Sequence, residues 1–260
     1  MSDPRPGAKL KTLASEFEPV QDPVDISKSF LLAIRRGTSA EEHAEALAAL
    51  PDEELATALD TDAARLAFWL NVYNGFAQRA LAEDPEQYHP RRTFFGTPQG
   101  TVAGQELSLD AIEHGILRRS YSKWTLGYVR SPSRTRFQER HEPSQRDPRI
   151  HFAVNCGAAS CPPIAAYERD AVDDQLDIAT AGYLEQTVTY NPDSGWVRVP
   201  RVMIWFRGDW GRKRDLLAFL RAHDQLPSDA SPWMAYHDWD WSLDRGDWAA
   251  ESAMDCADRE

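Results

Sequence analysis

The sequence predicts an α+β fold in a single domain, with helices around a small mixed or antiparallel sheet. Three observations lead there. Apolar residues recur at three- and four-residue spacing through much of the first half of the chain. Short β-prone runs bounded by Pro and Gly occur in the second half. The two patterns alternate irregularly, and no repeat or low-complexity linker divides them. A chain of 260 residues is long enough to bury a sizeable core.

Residues 1–22, with Pro4, Pro6 and Gly7, form a flexible lead-in to a domain over 23–250. From Pro23 the pattern is helical. Ser39-Ala40-Glu41-Glu42 has the form of a capping box, with Ser39 accepting from the third helical amide and Glu42 reaching back; the helix it opens ends at Pro51. A longer helical run covers 52–81, in which Leu66, Leu70, Tyr73, Ala77 and Ala80 make one apolar stripe. Asn71, Asn74 and Gln78 share another face, beside Trp69 and Tyr73; asparagine is a poor helix-interior residue, so that polar face stands out.

A short strand and turn are expected over 101–104, and Ser108 caps a helix over 109–118. Residues 131–147, rich in Arg, Ser, Pro and Glu, read as a solvated polar loop. A strand over 149–154 leads into the Asn155-Cys156-Gly157 turn. A helix over 173–186, strands over 196–199 and 202–205, and a helix over 215–223 follow. A tryptophan-rich stretch then precedes an acidic tail, 251–260.

The charge balance excludes some partners. There are 41 acidic residues against 29 basic ones, a formal net charge of −12, and such a field repels nucleic acid backbones and anionic lipid surfaces. Only Lys9, Lys11, Lys28, Lys123 and Lys213 are lysines. An acidic, arginine-over-lysine surface suits a halophilic source; a GC-rich genome explains the same bias without physics. The N-terminus has no apolar run of signal-peptide type, and no apolar stretch approaches the ~20 residues of a membrane helix. A cytoplasmic protein is therefore expected. Its three cysteines, Cys156, Cys161 and Cys256, would be reduced there and are too few for a disulfide scaffold.

Four stretches, in order, carry a family resemblance. They are Phe68-Trp69-Leu70-Asn71-Val72-Tyr73-Asn74; the run from Leu107 to Arg118 containing Ile112-Glu113-His114; the run from Asp147 to Ile164 containing Asn155-Cys156-Gly157-Ala158-Ala159-Ser160-Cys161-Pro162-Pro163; and the tail around Trp239 to Leu243. Together they resemble the family catalogued as domain of unknown function 547. The resemblance implies no settled activity. The Arg-rich insertion before Asp147 departs from the family's shorter pattern.

The chemistry must come from the residues. Cys156, where a strand meets a glycine turn, is a candidate nucleophile, and amides of that turn are candidates for an oxyanion hole. Such a thiol needs an imidazole to lower its pKa or take its proton. His151 is one candidate base, four residues from Asn155 on the same strand face. His114 is the other, in a Glu113-His114 pair whose side chains diverge by about 100° on an α-helix, so that one faces the site and one turns away. A Cys/His/(Glu or Asn) set of this kind performs acyl transfer on an amide or ester through a thioester, as a thiol-dependent hydrolase or acyltransferase. Cys161, ahead of Pro162-Pro163, is the reserve nucleophile. With Trp69, Asn71 and Asn74 it makes up the expected binding set. The alternative is a non-catalytic module that binds a peptide or small molecule in the same cleft. The cysteines and amides also have plain structural readings, as core filling and as partners of loop backbone. His151-x4-Cys156-x4-Cys161 lacks the tight spacing of a zinc site, so no metal or cofactor is expected.

Overall fold

The computed structural model describes residues 21–249. The acidic tail, Cys256, and the lead-in apart from its last two residues lie outside that span. Helix α1 (Pro23–Arg35) begins where the Asp22 carboxylate accepts the Val24 amide at 2.8 Å and Pro23 fills the first turn. Helix α2 (Glu41–Ala49) has Ala40 at its cap instead of Ser39. The box does not close: the Ser39 hydroxyl reaches only the Glu41 amide, at 3.4 Å.

The run over 52–81 is two helices, α3 (Asp52–Ala58) and α4 (Asp62–Glu83). Thr61 divides them. Its hydroxyl accepts from the Ala64 amide at 3.2 Å, and a side chain that caps a new helix competes with continuation of the old one. Helix α4 is buried all round from 66 to 78, so its predicted stripe is part of a central element and its asparagines are interior groups that need partners.

After a 3-10 turn (Pro85–Tyr88) and helix α5 (Arg91–Gly96), β1 (Pro98–Val102) and β2 (Gln105–Ser108) form an antiparallel hairpin. Ala103 and Gly104 both take positive φ at its turn, and their amides bond to the carbonyls of Leu47 and Ala48 on α2. Ser108 caps the next helix as expected, accepting from Ala111 at 3.1 Å, but Ala111–Leu117 winds as a π-helix closed by Arg118 N–H to Glu113 O at 2.8 Å.

Two regions differ more from expectation. The 131–147 segment is not simply a solvated loop. It holds α6 (Arg136–His141), opened by a Thr135/Gln138 capping box, and packs Phe137 and a fully buried His141 on Trp69. The strand expected over 149–154 is a 3-10 helix (Pro148–Phe152), because Asp147 accepts the Arg149 amide at 2.9 Å and Pro148 supplies a first-turn φ. His151 and Asn155 therefore share no strand face.

Helix α7 (Val172–Thr187) leads to a three-stranded mixed sheet. β3 (Thr189–Asn191) lies antiparallel to β4 (Trp196–Val199), and β4 lies parallel to β5 (Trp233–Tyr236). Val202–Trp205, expected as a strand, is a helical turn, α8. Pro200 ends β4, and Val202 and Met203 enter the core from the turn; short apolar runs carry no period that separates the two forms. α9 (Arg207–Trp210) and α10 (Lys213–Ala222) complete the fold.

One core surrounds α4 and a second lies beneath the mixed sheet and α10. Two elements bridge them. Ile150 and Phe152 of one 3-10 helix enter different cores, as do Leu176 and Leu184 of α7. The α+β single domain forms as expected, and the candidate site lies where the two cores meet. Among the described residues no helix is long and apolar enough to cross a membrane.

Candidate functional site

The site begins with α4. Burying asparagine amides in a helix costs stability unless every polar group is met. Asn71 exchanges two hydrogen bonds with the Tyr167 backbone, donating to its carbonyl at 2.9 Å and accepting its amide at 2.8 Å. Asn74 donates to the Ala153 carbonyl at 2.9 Å and accepts the Asn155 amide at 2.8 Å. The Asn155 side chain donates to the Pro162 carbonyl at 2.7 Å, and its oxygen accepts the Gly157 amide at 2.7 Å and the Gln78 amide at 3.4 Å. Asn74, Asn155 and Gln78 hold the 153–162 loop, while Asn71 fixes the chain at Tyr167. Asn71 and Asn74 do not line the cleft, and neither does Trp69, which is fully buried against Phe68, Phe137 and His141. Asn155 is likewise a scaffold residue. We expect Asn74→Ala to lower stability by about 2–4 kcal/mol, from two backbone groups left unmet in the interior, measured as the urea midpoint.

The loop so held carries both cysteines. Gly157 takes φ +88°, and a Cβ there would lie 2.5 Å from a methyl of Leu81. The chain near residue 242 clamps the loop from outside, with Ala159 N–H to Ser242 O at 2.9 Å and Asp244 N–H to Gly157 O at 2.8 Å. The two sulfurs lie 3.3 Å apart as free thiols, and the Cys156 amide points at the Cys161 sulfur at 3.4 Å. Burial alone would raise Cys161, but the Cys156 thiol and the backbone N–H groups of Cys156 and Ala158 outweigh it and hold Cys161 below the usual thiol range. Cys156 is pushed well above that range, first by its hydrogen bond to Cys161 and then by burial. Cys161, the reserve nucleophile by sequence, is thus the more acidic thiol. The turn amides do not form an open oxyanion hole: that of Gly157 is taken by Asn155, and that of Cys156 faces sulfur.

Facing the thiols across a cleft of about 380 Å³ are Glu113, His114 and His151. Both members of the Glu113-His114 pair line it, against the expectation that one would turn away. A π-helix has more residues per turn than an α-helix, so successive side chains diverge less. Burial pushes the Glu113 carboxyl up to about 7, with Tyr73 Oη 3.4 Å from one of its oxygens. The proton arrangement of His114 follows from its neighbour. Arg118 can only donate, so the His114 Nδ1 it meets at 3.1 Å carries the lone pair, and the proton sits on Nε2, 3.4 Å from Asp110. Burial first, and then Arg118, keep this imidazole neutral, well below its usual pKa.

Asp209 and Arg118 organise this wall, and sequence reading missed both. The Asp209 carboxylate accepts from Arg118 Nε at 2.6 Å and Nη2 at 3.2 Å, from Arg146 at 2.7 Å, and from His151 Nε2 at 2.8 Å. Burial would raise Asp209, but the His151 and Arg118 bonds hold it far below the carboxylate range. His151 stacks on Phe206 at 4.6 Å, and with Nε2–H directed at Asp209 its basic nitrogen is Nδ1. Among the described residues neither imidazole bonds a thiol. Arg146 comes from the segment read as a solvated loop. Asp209 lies 58 residues from His151 within a short helical turn, where no spacing marks it.

The rest of the lining is mostly aromatic and aliphatic, with Arg91, Asp110 and Lys123 as its charged members. Trp205, Trp239 and Trp241 pack on one another at 5.4–5.8 Å, with Trp205 and Trp241 stacked, Arg91 lies 4.6 Å over Trp241, and Trp124 stands at the rim 87% exposed. The rim loop docks through glycines: Gly208 N–H donates to Leu126 O at 2.7 Å, and a Cβ on Gly208 would fall 2.4 Å from the Gly127 backbone. Among the described residues no group of three His, Cys, Asp or Glu side chains is arranged to hold a metal ion.

The buried Glu113 has a consequence for stability. Its carboxyl titrates higher in the folded protein than in the unfolded chain, so the native state holds the extra proton. Its contribution is therefore present below about 4.5 and is lost as pH rises through about 7. Glu113→Gln should remove this loss. Thermal melts of the two proteins from pH 4.5 to 8 should diverge, with wild type falling relative to the variant.

No curated protein and no solved structure matches the chain. The family model described as "Protein of unknown function, DUF547" matches residues 57–184, which include Glu113, His114, Arg118, His151 and both cleft cysteines but not Asp209. Residues 57–184 thus carry the match to this family.

Proposed function

We propose that the cleft is the site of a thiol-dependent acyl transfer, a hydrolase or acyltransferase acting on an amide or ester, with Cys161 as nucleophile. The observation that carries this reading is the thiol pair: a sulfur polarised by its neighbour's backbone N–H and thiol, open to a cleft that also holds a carboxyl titrating near neutrality. The Cys161 thiolate attacks the acyl carbon and the tetrahedral adduct collapses to a thioester. Protonated Glu113 gives its proton to the departing amine. Glu113, now a carboxylate, takes a proton from water or another acceptor as it attacks the thioester. The acyl product leaves, and the thiolate and the protonated carboxyl are restored. The His151–Asp209 pair offers Nδ1 as a second base, oriented as in other carboxylate–imidazole pairs. The tryptophan walls bind the apolar part of the substrate.

The test is to incubate the protein with a panel of aryl esters and anilides and map acyl adducts by mass spectrometry. A hydroxylamine-labile acyl group on Cys161 supports the reading. Acylation confined to surface nucleophiles, with no turnover, sinks it. One observation favours the second reading, a non-catalytic module for a peptide or small molecule: His114 Nδ1 is taken by Arg118, and among the described residues neither imidazole bonds a thiol. In that case ligands quench the cleft tryptophans, and neither cysteine is acylated.

A further inference from the structure

The paired thiols have a use that acyl transfer does not require. We infer that Cys156 and Cys161 form a reversible dithiol–disulfide site that reacts with low-molecular-weight disulfides. Their sulfurs lie 3.3 Å apart, so a disulfide bond of ~2.05 Å requires them to close only ~1.3 Å. The loop between them is tight: Gly157 turns it at positive φ, and Cys161 N–H bonds back to Ala158 O at 2.8 Å. Both cysteines line the cleft and each residue keeps 8% of its surface exposed, which gives a small reagent a route to the pair from the cleft side. The pair is also asymmetric. The Cys156 N–H is directed at the Cys161 sulfur, which makes Cys161 the attacking thiolate and Cys156 the resolving thiol.

The reaction balances. The Cys161 thiolate attacks one sulfur of the small disulfide, forming a mixed disulfide and expelling a small thiolate. That thiolate takes the proton of Cys156. The Cys156 thiolate then attacks the Cys161 sulfur, the Cys156–Cys161 bond forms, and the second small thiolate leaves. The protein dithiol is oxidised by two electrons and the small disulfide is reduced to two thiol equivalents. Excess small thiol reverses the sequence. The closed form has no free thiolate in the cleft, so oxidation would also switch off a nucleophile at Cys161. The dithiol geometry stands whether or not acyl transfer occurs.

The experiment uses the full chain with Cys256→Ser, which removes the third thiol. The folded protein is equilibrated with oxidised and reduced glutathione at several ratios, acid-quenched, alkylated and mapped by mass spectrometry. The expected product is a peptide joining both cysteines, lighter by two hydrogens, closed to alkylation and reopened by dithiothreitol. Adding Cys156→Ser should arrest the reaction as a glutathione adduct on Cys161. Two results would overturn the inference: both cysteines stay open to alkylation after equilibration with oxidised glutathione, or the parent protein itself stops at a mixed disulfide. The two readings of the cleft fail separately. A disulfide without acylation leaves this inference standing, and acylation without a disulfide refutes it alone.

Discussion

Asp209→Asn is expected to cost about 3–5 kcal/mol of folding stability at neutral pH, the usual effect of breaking a buried ion pair from one side. The variant keeps the shape and removes the charge. Arg118, whose side chain is fully buried, is left with neutral partners: the new amide, the Tyr121 carbonyl, the lone pair of His114, and the Phe206 ring 4.2 Å away. Arg146 loses its carboxylate as well. The effect should depend on pH. Asp209 titrates lower in the folded protein than its unfolded value of ~3.9, so its contribution is complete above that value and is lost as pH falls through the native pKa. The gap in denaturant midpoint between wild type and variant should therefore be widest near neutrality and narrow in acid. A companion change, Arg118→Met, should be costly alone but should recover part of the Asp209→Asn loss in combination, because the two residues act as one unit. Strict additivity would show that the pair is not coupled.

Cys161→Ala is expected to lower turnover on any substrate found for the cleft by at least about a thousandfold, the scale on which removing a covalent nucleophile acts. Stability should change by only about 1 kcal/mol, since the sulfur is small and its contacts few. Cys156→Ala should be milder. It removes the thiol that polarises Cys161 but keeps the backbone N–H aimed at the sulfur, so the expected result is a tenfold to hundredfold loss with the pH optimum moved upward. Equal losses from the two variants would contradict this division of labour, and a larger loss from Cys156→Ala would reverse it.

The fold class was legible because period and punctuation were strong. The Pro23 and Ser108 helix starts, the β4 strand and the α7 helix all followed from local chemistry. The failures share a physical cause, the competition between a short run's propensity and its cap. Thr61 broke a helix that apolar spacing would continue, and Asp147-Pro148 turned the β-prone 149–154 run into a 3-10 helix. The site was half legible. Glu113, His114, His151, Cys156 and Cys161 do converge on one cleft. Their order of importance was hidden, because it depends on which sulfur an amide faces and on whether a helix winds as π or α. Asp209 and Arg118 were invisible because a buried ion pair 91 residues apart leaves no mark on local pattern. The asparagine face stands out in the sequence, yet it serves backbone groups, Asn74 those of the loop behind the cleft and Asn71 those of Tyr167.

The most direct test of the account is the rate of alkylation at each cysteine as a function of pH, with the native protein and sites assigned by mass spectrometry. Cys161 should label faster than Cys156, with a midpoint below the ~8.5 of an ordinary thiol, and Cys156 should follow only once Cys161 is blocked or the pH is high. Faster labelling of Cys156, or two thiols that stay inert until the protein unfolds, would contradict it.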